Sequence, residues 1–298
     1  MKYRRRIGKD KVTCLFGANV DAIATVEPSE LLTIETRDAY NGSFELDMDV
    51  ERHARISSPA TMNPVTGPIA VAGAQPGDSL IIHVDKIRLG SIGYVAATSG
   101  LGIMADHKVE PDAAKFVVRD GRVWLDDGID LPLRPMIGTI GVAPAGEPII
   151  SLDLGNHGGN LDLNEITEGS TITLPVNVDG ALFAIGDVHA TMGSGEGHSG
   201  VNIDAEIDLH VGIVKGALAP APIIRTEKEF ITIGVAPKLE AALVKAASAM
   251  EMELVRRLDI TPTRARMLLG SSVDLRLGQA GGYGVNVSVC AAFPMDSL

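Results

Sequence analysis

The sequence predicts a mainly β protein with some α+β character: β-sandwich-like mixed sheets followed by a C-terminal helical hairpin. Three observations carry this. Short apolar runs punctuated by Gly, Pro, Asp and Asn make up most of the chain, the pattern of short strands joined by turns. The clearest of them, Val201 to Ile213, is apolar at every odd position, with Asn202, Asp204, Glu206, Asp208 and His210 between. Strict period two fits a half-buried strand and no helix. Only Pro237 to Leu258 is convincingly helical, with Leu239, Leu243, Ala246, Ala247, Met250, Leu254 and Leu258 spaced by threes and fours.

The elements follow in order. Leu31–Thr36 is a strand, and Ser79–Ile87 another, introduced by Pro76-Gly77-Asp78. Phe116–Arg119 and Arg122–Leu125 flank Asp120-Gly121, a hairpin signal because a type I′ turn needs positive φ at both central residues. Thr171–Val176 and Ala181–His189 form a further pair before the alternating strand. After the helix, Thr261-Pro262 reads as an N-cap with proline at the first helical position, opening a helix through Leu269 that Gly270 would end. Val285–Val289 is the last strand. No repeat or linker interrupts residues 1–298, so one domain is expected.

Composition narrows the function. Twenty-six basic and 38 acidic residues leave a formal charge of −12, which argues against nucleic acid or an anionic membrane as partner. Cys14 and Cys290 cannot make a disulfide framework. Aromatic residues are only 4% while glycines number 33, which suits turns and close backbone approach better than a helical bundle. No apolar run is long enough for a membrane helix. The basic start, Lys2, Arg4, Arg5, Arg6, Lys9 and Lys11, reads as a solvated tail with no signal-peptide core behind it. The expected compartment is the cytoplasm.

The chemistry concentrates between residues 157 and 210, which hold four of the seven histidines together with Asp162, Asp187, Glu196, Asp204, Glu206 and Asp208. Asp187 and His189 stand two apart at a strand end, so their side chains share a face. A carboxylate and an imidazole there can bind a divalent metal or act as a base with its orienting partner. The glycines that follow let the chain turn back and bring Glu196 to the same place. Against this stands the plainer reading, a turn with exposed polar residues. The row Asp204, Glu206, Asp208 reads first as the solvated face of a sheet and second as a metal platform. His53, His83 and His107 have no setting that singles them out. Gly195-Glu196-Gly197-His198-Ser199-Gly200 matches G-x-G-x-x-G, but a strand follows it rather than a helix, so it is no dinucleotide site. No G-x-S-x-G elbow is present and neither cysteine has an activating setting. A water activated by a metal, with a carboxylate base, explains more of the cluster than a covalent nucleophile does.

At these residues the chain resembles the acetamidase/formamidase family, the one associated with metals. The resemblance spans most of the chain. It is carried by residues 67–78 (G-P-I-A-V-A-G-A-Q-P-G-D), 137–144, His157-Gly158-Gly159-Asn160-Leu161-Asp162, Gly186-Asp187-Val188-His189-Ala190 and the stretch from the helix to Asp274–Gln279. One departure stands out. The family continues G-D-x-H-A-x-Q-G-D-G-E, whereas Met192 and Ser194 replace the Gln and second Asp here; Glu196 is kept.

The resemblance implies hydrolysis of a short amide, formamide- or acetamide-like, to a carboxylate and ammonia. In that picture Asp187, His189 and His157 hold a divalent ion, zinc by expectation, and Glu196 is the general base. Asn160, with the N–H groups of Gly158 and Gly159, would stabilise the oxyanion. Asp38 matches an acidic position of the family and would reach the same cleft. The partner is then a small amide, and a homo-oligomer, most simply a dimer, is implied. The alternatives are a catalytically silent small-molecule or metal-binding protein on this scaffold, favoured by Met192 and Ser194, and a metal-dependent lyase.

Overall fold

The alternating segment is where the fold passes from one sheet to the other. In the computed structural model, which describes residues 4–43, 60–125, 128–280 and 286–298, it forms two strands, Asn202–Ile203 and Ala205–Val214, parted at Asp204. The first pairs with Phe183–His189 and Ile92–Ala97; the second pairs with Leu31–Thr36 and Ser79–Leu89 in the opposite sheet. Val201, Ile203, Ala205, Ile207, Leu209 and Val211 are all buried. One continuous apolar edge thus serves both layers, and a strand that switches sheets makes a sandwich corner.

Strands hold 42% of the described residues, which settles the class as mainly β. Among the described residues one sheet has nine strands and runs from Arg5–Ile7 through Leu31–Thr36, Ala205–Val214 and Ser79–Leu89 to Val287–Pro294 and Asp274–Leu277. The other has twelve, with Phe183–His189 bounded by Met136–Gly141, Asn202–Ile203 and Val65–Val71. Their facing surfaces share one core: Leu32, Ile34, Ile82 and Leu209 from the first, Ile137, Ile140, Ile185 and Val188 from the second.

The helical hairpin, α1 (Leu239–Leu258) and α2 (Pro262–Ser272), covers the outer end of the nine-stranded sheet. Ala242, Ala246, Met250 and Leu254 pack on Phe230, Val289, Ala291 and Phe293. A side chain at Gly234 would stand 2.1 Å from the Ala242 carbonyl, so glycine is what lets α1 lie this close. The Thr261 hydroxyl caps α2 by accepting from Arg264 N–H at 3.3 Å.

Four local expectations change. The basic start is no tail: Arg5–Ile7 adds in parallel to Leu31–Thr36, because its arginines find carboxylates on the sheet. Thr171–Pro175 and Phe183–His189 lie in different sheets rather than pairing. Gly270 sits inside α2 instead of ending it, and the last strand runs from Val287 to Pro294. Asp120 and Gly121 do have positive φ, 52° and 72°, as a type I′ turn requires. His53 and Val285 lie outside the described residues. Among those described, no helix is long and apolar enough to cross a membrane.

Candidate functional site

The site forms where two strands of the twelve-stranded sheet end and run into turns. Asp187 and His189 end the strand Phe183–His189, Asp162 follows the strand Gly158–Asn160, and Glu196 lies on the glycine-rich turn beyond His189. Asp162, Asp187 and Glu196 all take left-handed backbone, with φ of 46°, 53° and 39°. Such a conformation costs a non-glycine residue about 1–3 kcal/mol and persists only where the surroundings hold it. The space is also cut to fit: a Cβ at Gly138 would stand 2.4 Å from Asp162 Oδ1, and one at Gly200 2.5 Å from His189 Nδ1.

Ligand atoms of Asp162, His189 and Glu196 converge to within 4.8 Å of one another. His189 Nε2 lies 3.4 Å from Asp162 Oδ1 and 3.6 Å from Asp187 Oδ1. None of these last three atoms has a hydrogen-bond partner, although all are buried. The other carboxylate oxygens are held. Asp187 Oδ2 accepts from Asn63 Nδ2 at 2.8 Å and from the Thr139 hydroxyl at 3.2 Å. Gln279 Nε2 donates to Asp162 Oδ2 at 2.8 Å and to Glu196 Oε2. Asp162 and Asp187 are thus each oriented by one oxygen while the other is left bare, whereas Glu196 is held at both, its Oε1 accepting from Gly200 N–H at 3.4 Å.

Three buried carboxylates without a cation are electrostatically strained. Burial, with the charge of Asp162, raises the Asp187 carboxyl to about 6, and pushes Glu196 well above the usual range. Burial opposes charge on His189, but Asp187 and Asp162 outweigh it and raise its pKa. The residues present therefore fit a metal.

Beside the ligand atoms opens a cleft of about 40 Å³, with Asn63, Asn160, Asp187 and Glu196 among its polar lining. That is room for about three waters, or one small molecule. Asn160 Oδ1 accepts from Thr139 at 2.6 Å and from Asn63 at 2.8 Å, which orients its NH₂ as the free donor end.

Two expected residues are elsewhere. His157 is not among the converging ligands. Register puts Asn160 opposite Thr139, while the His157 carbonyl bonds Val142 N–H, three residues along, about 10 Å of strand away. Its ring packs edge-on to Phe16, and burial lowers its pKa to about 4. Asp38 folds its carboxylate back onto the N–H groups of Tyr40 and Gly42 and lines a neighbouring cavity; its neighbours Ala39 and Tyr40 line the cleft instead. Gly158 and Gly159 lie in a ladder between two strands and do not line the cleft. Met192 and Ser194 do not line it either. Sequence reasoning missed Asp162 as a candidate ligand, although it closes the His157–Asp162 motif, and missed Gln279, which ends the last one. Nothing local marks Asn63 or Thr139.

Fold and site together define a β-sandwich protein with a buried carboxylate–imidazole centre. The model of the Acetamidase/Formamidase family matches residues 8–153 and 150–261. The chain superposes on the crystal structure of an acetamidase from Bacillus halodurans with a TM-score of 0.92, at 34% identity over 98% of both chains. It superposes on a predicted acetamidase/formamidase from Thermoanaerobacter tengcongensis with a TM-score of 0.89, at 31% identity over 98% of this chain and 95% of that one. The acetamidase of Mycolicibacterium smegmatis is 26% identical over 267 residues, 67% of this chain and 65% of that protein. The chain thus spans about two thirds of that relative's length. This chain belongs to the acetamidase/formamidase family.

Proposed function

We propose that the chain hydrolyses a short primary amide, of formamide or acetamide size, to its carboxylate and ammonia. The observation that carries this is the set of bare, buried donor atoms of Asp162, Asp187 and His189 beside a small cleft into which Glu196 and Asn160 project. The names of the family's acetamidases and formamidases support the reaction type. Asp162, Asp187 and His189 would hold a divalent ion, read here as zinc, which when bound polarises a carbonyl and makes water a better acid. Glu196 takes the proton from the attacking water, since its oxygens face both the cleft and the donor cluster, and passes it to the leaving nitrogen. The Asn160 NH₂ donates to the amide oxygen as charge develops there. Burial of Glu196 keeps its proton affinity high, as the second transfer needs. A cytoplasmic homodimer of single-domain subunits, residues 1–298, completes the reading; its oligomeric state follows the family resemblance. Met192 and Ser194 do not line the cleft, which supports the hydrolytic reading over a silent binding protein.

The test is Glu196→Gln, assayed by ammonia release from small amides alongside metal analysis. Turnover should fall by about 10²–10⁴-fold with metal content retained. Activity equal to the parent would overturn the base assignment.

A further inference from the structure

We infer that Tyr40, Met62, Ala96 and Leu152 form an acyl pocket that makes an alkyl-bearing amide, rather than formamide, the preferred substrate. This rests on the amide-hydrolysis reading above. The four residues form a small apolar cluster apart from the two larger cores, each at most 5% exposed. All four line the cleft, together with Ala39 and Leu101. A cluster that merely anchored a loop has no reason to turn every member toward one cavity. The cleft's lining is thus mixed: Asn63, Asn160, Asp187 and Glu196, with His198, Ser199 and Asn202, share it with the apolar cluster.

The chemistry then orients the substrate. The scissile carbonyl belongs beside the ligand atoms. A primary amide that releases ammonia carries nothing on its nitrogen, so only the acyl substituent can meet the apolar cluster. Formamide has no carbon to place there and leaves apolar surface against water. Each methylene that covers the cluster strengthens binding by about fourfold, until the narrow cleft is full. Leu152 and Ala96 set the depth. Leu152 is the larger and can be cut back; Ala96 lies on the strand Ile92–Ala97, where a β-branched replacement is tolerated.

The test measures kcat/KM for formamide, acetamide, propionamide and butyramide on the full-length protein, Leu152→Ala and Ala96→Val. Binding of formate, acetate, propionate and butyrate is followed by calorimetry on the same three proteins. The parent should prefer acetamide or propionamide to formamide by about fourfold or more. Leu152→Ala should move the optimum to a longer chain and Ala96→Val to a shorter one. Opposite shifts are what a purely structural role cannot produce, because damage to packing lowers all substrates together. Unchanged chain-length ratios, or formamide as the best substrate of all three proteins, would overturn the inference. If no amide releases ammonia while carboxylate binding still shifts in opposite directions, the pocket stands and the hydrolysis reading falls. If neither turnover nor binding depends on chain length, both fall.

Discussion

Two groups of three acids lie close together in sequence and have opposite fates. Asp204, Glu206 and Asp208 sit at or just beside the strand Ala205–Val214 of the nine-stranded sheet, and each meets a cation. Lys9 reaches Asp204 at 2.7 Å, Arg6 and Arg88 reach Glu206, and Arg88 holds both oxygens of Asp208 at 2.7 and 2.8 Å. Asp162, Asp187 and Glu196 are buried on left-handed backbone with no cation among the described residues, only His189. The first group is complete within the chain. The second leaves Asp162 Oδ1 and Asp187 Oδ1 buried without a partner. Strained backbone, bare oxygens and raised pKa values at one place are the physical marks of a functional site.

The same isosteric change should therefore do opposite things in the two groups. Asp162→Asn should abolish most metal content and lower ammonia release by about a hundredfold or more. After chelation, it should leave the protein no less stable than the parent, because a buried charge is gone. Asp208→Asn should leave turnover and metal content unchanged. Metal analysis, activity and denaturation on both variants decide the matter, and equal loss of activity in the two would erase the distinction.

Geometry can be separated from charge with glycines. Gly138→Ala places a Cβ 2.4 Å from Asp162 Oδ1 and 2.9 Å from Asp187 Oδ2. Overpacking of this kind costs about 1–3 kcal/mol, so metal affinity should fall about tenfold with every ligand still present. Gly212→Ala, on the strand that carries Glu206 and Asp208, meets nothing nearer than Ile81 at 4.0 Å and should be silent. Equal metal affinity in Gly138→Ala and the parent would mean that the carboxylates are not as crowded as they stand here.

The contrast also shows what a sequence can disclose. Period-two alternation over 201–213 gave the strand and its buried face, because that pattern is local. That the strand changes sheet at Asp204 was not legible, since both halves alternate alike and only the pairing partners differ. Asp187, His189 and Glu196 were found because they crowd one short stretch. Asp162 and Gln279 arrive from 25 residues upstream and from the far end of the chain, and Asn63 from the other side. Only tertiary pairing brings those together. His157 was over-read for the converse reason: it adjoins the right residues in sequence, but a strand of about 3.3 Å per residue carries it away. The basic N-terminus looked like a tail because its partners lie about 30 and 200 residues further on.

At neutral pH Asp208→Asn should still register in stability, by about 1–2 kcal/mol, since Arg88 and the Thr33 hydroxyl lose an ionised acceptor. Its acid limb is the smallest effect expected. The Arg88 guanidinium, with the Thr33 hydroxyl, holds the Asp208 carboxyl at about 2 against an ordinary 3.8. Between those values the unfolded chain binds more protons than the folded one, so stability falls as pH falls. The contribution is complete above about pH 4 and gone below about pH 2. Arg88 is 38% exposed, so water screens the pair and the limb amounts to about 1 kcal/mol. Denaturant titrations at pH 5 and pH 3 should show the parent losing about half of that more than Asp208→Asn, since pH 3 lies midway along the limb. A parent and variant that lose stability in parallel would place the acid sensitivity elsewhere, and would return the paired row to the solvated sheet face that its sequence first suggests.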